Sequence, residues 1–427
     1  MADYKKRKVK HKPLHSKRPQ KNKIHSENIE MRSFSSNKTP EKKMKVVKGK
    51  KLERRHKFKV FISSVAVICL SAFILTLTLP VDIFENITNA VMLIGSGSYP
   101  SELYGFETLD SVSKNDYYYI LTDTNLNAFT NGGKRIFSHP HGFENPVLST
   151  CETRALVFDQ GGNSLYVYNL KNRVNTFESD NSIINASVSR NGHFAVSVKS
   201  NNYASTVFVF NKHQEKIYTW NSAKEIINNV LVSPDGKKLA LTTLNVSGGK
   251  YISKLHVFSF NSADPIFSLD FEEQPSYKLV NTDLRHFALL NSSGMFVFSW
   301  KNYSKSEVKS DYFLDNFRFD KRGSLLVFNR NSDKSDNTVM IVSSKGEKVS
   351  EFHFKGIITD IEYKRDNVYL ISDTKSYILD KTGNIIRKGD CSYGCVRFAV
   401  VGAHSLAVIT DNNVNKIDIS KEVSKND

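Results

Sequence analysis

Two histidines one residue apart, His139 and His141 in the run His-Pro-His-Gly, come nearest in this chain to a metal-ligand pair. Imidazoles at that spacing on one strand face can hold zinc, but no third ligand follows at a recognisable interval. Pro140 and Gly142 make the run read as a turn between structural units. Asp123, Asn125 and Asn127 place oxygen side chains at alternate positions, as the start of a calcium loop does. Positions six and twelve of such a loop need Gly and Glu, and here they are Ala128 and Lys134. A hairpin turn is the expectation at Asp123.

Sulfur chemistry has one candidate site. Cys391 and Cys395 are separated by Ser-Tyr-Gly, a turn-like spacer, and in an oxidising compartment the pair could close a disulfide. Two reduced thiols fit the spacing as well, and without further Cys or His the pair is not a zinc signature. No G-x-S-x-G elbow, Walker loop or H-E-x-x-H occurs, and no G-x-G-x-x-G follows a strand. Carboxylate neighbours such as Glu272 and Glu273 fall in loops, where water solvates them. There is no catalytic, metal or cofactor set to assign, and the chain reads as a binding protein rather than an enzyme.

The elements that must carry these residues are strands. From residue 104 to 420 the chain alternates with a period of two, in short runs such as Tyr117 to Thr122, Ser164 to Asn169 and Thr206 to Asn211. Turn clusters of Gly, Asn, Asp, Ser and Lys separate the runs. One unit recurs: strand, tight polar turn, apolar strand, as from Ala186, Val230 and Phe317. Its Asn-Gly and Asp-Gly turns tolerate the positive φ that tight hairpins need. A second hairpin follows each unit, as from Phe208, Met340 and Tyr377.

Two hairpins make a four-stranded antiparallel blade, so the fold class is all-β and the architecture a β-propeller. Blades start near residues 104, 144, 183, 226, 275, 314, 357 and 395, which gives eight, with seven as the alternative. The last unit holds only about three strands. Its outer strand is expected from residues 92 to 103, closing the ring with both ends of the domain.

What precedes the ring is of a different kind. The net charge of +17 lies almost wholly in residues 1–57, which hold 21 Lys and Arg against 5 Asp and Glu. This tail has no hydrophobic period and is expected to be disordered. After Lys59 no charge occurs until Asp82, and 22 uncharged residues in a helix reach about 33 Å, enough for a hydrocarbon core of roughly 30 Å. Residues 58–80 therefore read as an uncleaved signal-anchor helix. Lys50, Lys51, Arg54, Arg55, Lys57 and Lys59 flank it on one side, and Asp82 and Glu85 follow on the other. The positive-inside rule keeps the N-terminus in the cytoplasm and sends the C-terminal domain outside, a single-pass type II topology in the cell membrane. The basic cluster would lie on anionic lipid. Nucleic acid is not an expected partner, since no folded nucleic-acid-binding motif accompanies the basic tail. Residues 81–103 form a connector in which Phe84, Ile87, Val91 and Ile94 have helical spacing, and residues 421–427 form a polar C-terminal tail.

The run Ser-Pro-Asp-Gly-Lys-Lys-Leu-Ala-Leu at Ser233 to Leu241 resembles the blade hairpin of WD40-like and TolB-type propellers. The order of basic tail, single helix and propeller is similar to membrane-anchored propeller proteins of Gram-positive bacteria, whose function is uncharacterised. The Trp-Asp dipeptide of WD40 blades is absent, and the two tryptophans, Trp220 and Trp300, do not form the docking repeat of quinoprotein propellers. The resemblance marks a fold rather than an activity; an all-β ring without a visible catalytic set reads as an anchored module that binds a protein or cell-envelope partner. The alternatives are a surface enzyme acting on envelope glycan, and a transducer coupling external binding to the basic tail.

Overall fold

The computed structural model describes residues 57–67 and 81–422, apart from 273–274, 321, 331–332, 392–393, 411 and 420. The chain divides into two units, residues 1–73 and 74–427. Within the first, residues 57–67 are helical (α1), with Phe58, Phe61, Ile62 and Val65 exposed. Among the described residues no helix is long and apolar enough to cross a membrane. The expected anchor helix lies largely outside them, as do the tail and the cations Lys50, Lys51, Arg54 and Arg55. Lys57 and Lys59 fall within α1.

The second unit is a ring of eight antiparallel sheets. Seven blades are built in chain order, a to d from the inside outward. Their inner strands are Thr108–Ser113, Pro146–Thr150, Ile183–Val188, Ile226–Val232, Lys278–Asn281, Phe313–Asp320 and Ile358–Lys364. The eighth opens with Arg397–Val400. It takes its outer strand from the far end of the domain, where Ser101–Glu102 pairs with Asn413–Asp418. Ring closure by both termini is thus as the pattern requires, and the count is eight. One strand was not foreseen. Lys421–Glu422, expected in a polar tail, adds its backbone to Ile385–Asp390 as a fifth strand of blade 7.

Blades hold together through apolar faces. The second strands are deeply buried, as in Tyr117–Thr122 and Phe194–Val198, where every residue is buried. Successive blades share clusters: Tyr119, Leu126 and Phe137 of blade 1 pack with Leu148 and Val157 of blade 2. The hairpin turns take the left-handed backbone that glycine permits, at Gly192 (φ 83°) and Gly236 (φ 68°). Two b–c hairpins are longer than the rest, Lys238–Ser247 with Lys250–Ser259 in blade 4 and Gly323–Arg330 with Asp333–Val342 in blade 6.

The connector forms helix α2, Val81–Leu93, and it packs on the ring. Asn89 is buried and its Oδ1 accepts a 3.3 Å hydrogen bond from the Leu170 amide, while Met92 and Leu93 join the core cluster of blades 1 and 2. Lys134 Nζ donates to the carbonyls of Met92 (3.2 Å) and Ile94 (2.5 Å), closing the helix end. Ile87, Val91 and Ile94 point outward, 53%, 54% and 70% exposed.

Candidate functional site in the central channel

Eight inner strands surround the axis, and in five of them one residue is bulged out of register. The residue after each bulge is polar: Asp110, Asn185, Asn229, Asn316 and Asp360. A bulge bends the strand and re-aims the next side chain. Each of these residues lies four positions before the amide that closes its a–b hairpin, and Lys278 and Arg397 hold the same level in blades 5 and 8. Strand alternation puts the residue two further on, such as Arg318 or Glu362, on the same face.

Much of this polarity has a structural task. An inner strand has no partner on its axial side, so its amides need acceptors. Side chains from the preceding blade supply them. The Val188 amide donates to Ser149 Oγ (3.4 Å), Val230 to Asn185 Oδ1 (3.4 Å), Phe398 to Asp360 Oδ2 (3.1 Å) and Val400 to Glu362 Oε2 (3.1 Å).

The charges are confined to one arc. At this level blades 5, 7, 8 and 1 contribute Lys278, Asp360, Arg397 and Asp110, with Arg318 of blade 6 and Glu362 of blade 7 two residues further on, whereas blades 2 to 4 present Val147, Asn185 and Asn229. Asp360, 2% exposed, is gripped from both sides: Arg318 Nη2 lies 2.5 Å and Arg397 Nη1 3.4 Å from its Oδ1. Deeper in the channel Ser113 Oγ donates to Glu362 Oε2 (2.8 Å), and Lys364 Nζ donates to the carbonyls of Lys114 (2.8 Å) and Val400 (2.9 Å). Blade 7 thereby reaches blade 1 past blade 8. Burial pushes the Glu362 carboxyl above its ordinary value and pulls the Lys364 ammonium below its own.

Lys278 differs from all of these. It is open to water and yet so enclosed that burial is the largest influence on its ammonium, pulling its pKa down; Asp110 opposes the shift and Arg318 adds to it. Its Nζ lies 5.5 Å from the centroid of the Phe317 ring and, among the described residues, has no hydrogen-bond or ion-pair partner.

The residues singled out by spacing lie elsewhere. His139 sits in the outer strand of blade 1, Arg135–Pro140, rather than in a turn, because Pro140 still pairs with Asn125 at the strand end. Its ring stacks on Phe137 (4.7 Å) and Tyr168 (5.5 Å). His141 is buried, and both ring nitrogens are engaged: Nε2 with the Thr122 carbonyl (3.1 Å) and Nδ1 as acceptor from the Phe143 amide (3.1 Å). Among the described residues no group of three His, Cys, Asp or Glu side chains could hold a metal. Asp123 opens the two-residue turn between Tyr117–Thr122 and Asn125–Thr130, as expected. Cys391 and Cys395 stand as thiols packed in the cluster of blades 7 and 8; their mutual hydrogen bond, then burial, raises the Cys395 pKa.

The model of a family of unknown function, DUF5711, matches residues 107–419. No curated protein matches the chain. Among solved structures, the C-terminal WD40 domain of Sif2 is similar at TM-score 0.50 and 10% identity, over 77% of this chain and 100% of that one. Dihydro-haem d1 dehydrogenase NirN in complex with DHE is similar at TM-score 0.50 and 12% identity, over 75% of each chain. BamB from Moraxella catarrhalis is similar at TM-score 0.43 and 14% identity, over 73% of this chain and 99% of that one. At these identities the likeness concerns the propeller fold alone.

Proposed function

Because the chain belongs to DUF5711, a family of unknown function, its role has to be read from its own residues, and we propose a membrane-anchored propeller that binds a protein or cell-envelope partner outside the cytoplasm. The observation that carries the anchoring is α2. It begins two residues after the apolar stretch 58–79 ends, and it turns Ile87, Val91 and Ile94 away from the propeller rather than into it. Such a stripe next to a membrane exit suits the headgroup boundary. The cations from Lys50 to Lys59 then face the inner leaflet, each gaining roughly 1 kcal/mol from anionic lipid.

Binding is favoured over catalysis by what the channel carboxylates do. Asp360 and Glu362 are clustered and buried, as a hydrolase acid and base would be, and that is the one feature on the side of an envelope enzyme. Both, however, cap amides of blade 8 and are held by Arg318, Arg397 and Ser113, which leaves neither placed to abstract a proton. Crosslinking intact cells with a membrane-impermeant amine reagent tests the reading. A partner captured reproducibly through propeller lysines supports it; a full-length chain that never yields an external adduct overturns it.

A further inference from the structure

The two ends of the ring differ in sign. Because the four strands of a blade are antiparallel, the a–b and c–d turns lie at one end and the b–c and d–a turns at the other. Among the described residues, the a–b and c–d turns hold thirteen Lys and Arg against nine Asp and Glu. The b–c and d–a turns hold two Lys against seven Asp and Glu. Carboxylates at the basic end serve their own turns. Asp235 Oδ1 accepts from the Lys237 amide (3.2 Å), Asp380 Oδ1 accepts from the Thr382 amide (2.8 Å), and Glu152 Oε2 pairs with Arg190 Nε (2.8 Å). Lys171, Lys301 and Lys345 are exposed in the c–d turns of blades 2, 5 and 6 and form no ion pair among the described residues.

Helix α2 sits at the basic end. Asn89 meets Leu170 in the c–d turn of blade 2, and Lys134, in the c–d turn of blade 1, bonds the carbonyls of Met92 and Ile94. The outward stripe of Ile87, Val91 and Ile94 therefore lies beside the basic turns. An apolar stripe flanked by cations is what an anionic bilayer surface attracts. The other end meets the opposite condition. Phe106, Tyr277 and Phe313 are exposed there, but Glu107 and Asp311 stand beside them in sequence and the end as a whole is acidic, so anionic lipid repels it. Burial of apolar surface and charge thus select the same end.

We propose that the a–b and c–d end of the propeller lies on a lipid surface carrying anionic phosphate headgroups, with α2 at its margin and the acidic end turned away. The proposal deepens the anchored reading and rests on it. The anchor alone would leave the ring free to tilt; Lys171, Lys301 and Lys345, on three separate blades, hold it flat. Their attraction decays over about 8 Å at physiological salt, so it acts only while the turns touch the headgroups. The acidic end is then the one left open to a partner.

Amine labelling of the full-length protein in lipid nanodiscs decides it. One set of discs is phosphatidylcholine, the other contains phosphatidylglycerol, and acetylation of each lysine is followed by mass spectrometry. Lys171, Lys301 and Lys345 should label at least fivefold more slowly with phosphatidylglycerol, and high salt should remove the difference. Lys199, Lys224 and Lys355, at the acidic end, should label equally in both. Lys171→Glu combined with Lys345→Glu should restore labelling of Lys301 with the unfolding transition retained. Slower labelling of Lys199 and Lys224 instead overturns the proposal, as does protection of the basic turns by soluble polyphosphate with none by phosphatidylglycerol. A chain that enters the discs and labels alike in both loses this orientation, and the anchored binding module stands. A chain that enters no disc loses both.

Discussion

Ser113 in blade 1 and Glu362 in blade 7 share a 2.8 Å hydrogen bond that passes the whole of blade 8. The carboxylate it holds lies where burial opposes its charge. With the folded pKa of Glu362 raised, the folded state binds its proton more readily than the unfolded chain. The stabilising contribution is therefore complete below the ordinary glutamate value and is lost as pH rises through the raised one. Glu362→Gln keeps an acceptor for Ser113 and Val400 and removes the titration. Urea midpoints taken from about pH 4 to pH 8 should fall less with pH in the variant than in the natural protein. Parallel profiles would refute this assignment.

Asp360 is the sole carboxylate between Arg318 and Arg397 among the described residues. Asp360→Asn retains an acceptor for the Phe398 amide but strands two guanidinium groups, and a cost of about 3–5 kcal/mol is expected. Arg318→Met should cost less, because Arg397 still pairs the carboxylate. Denaturant unfolding measures both, and the reverse order would contradict the geometry.

Ring closure depends on two residues of strand, Ser101–Glu102. The buried Ser101 hydroxyl sits 2.8 Å from the Ser98 carbonyl and 2.7 Å from that of Gly133, tying the closing strand to blade 1. Ser101→Ala should destabilise the propeller by about 1–3 kcal/mol. Amide exchange should report the loss first in Asn413–Asp418, whose edge the strand covers. Uniform loss around the ring would show that closure is not local.

If the propeller faces an oxidising compartment, the adjacent thiols of Cys391 and Cys395 are expected to be joined as a disulfide in protein taken from cells. Peptide mapping without reduction should find the linked peptide. Both residues alkylated as thiols would place the domain in a reducing compartment or keep the pair reduced.

The blades were legible because their signal is local. Val230 to Thr242 shows an apolar strand, Ser-Pro-Asp-Gly and a second apolar strand within 13 residues, and the hairpin follows from them. The closing strand could be inferred from a deficit, since blade 8 lacks a partner for Val414. The bulges and the channel charges were not legible. Lys278, Asp360 and Asp110 are separated by tens of residues, each looks like a polar flank of its own strand, and only the ring brings them to one level. The strand Lys421–Glu422 has two polar residues and no pattern to read. His139 and His141 misled in the opposite way: their spacing implied a pair, but stacking on Phe137 claims one ring and the Thr122 carbonyl the other.

The proposed function depends on the side of a membrane on which the ring lies. A reporter enzyme that works only after export, fused behind Asp427 of the full-length chain, tests this directly, with a cytoplasm-active reporter at the same position as its partner. The export-dependent fusion should be active and the cytoplasmic one silent, with both in the membrane fraction after alkaline washing. Activity of the cytoplasmic reporter alone, or recovery of the fusions in the soluble fraction, would contradict it.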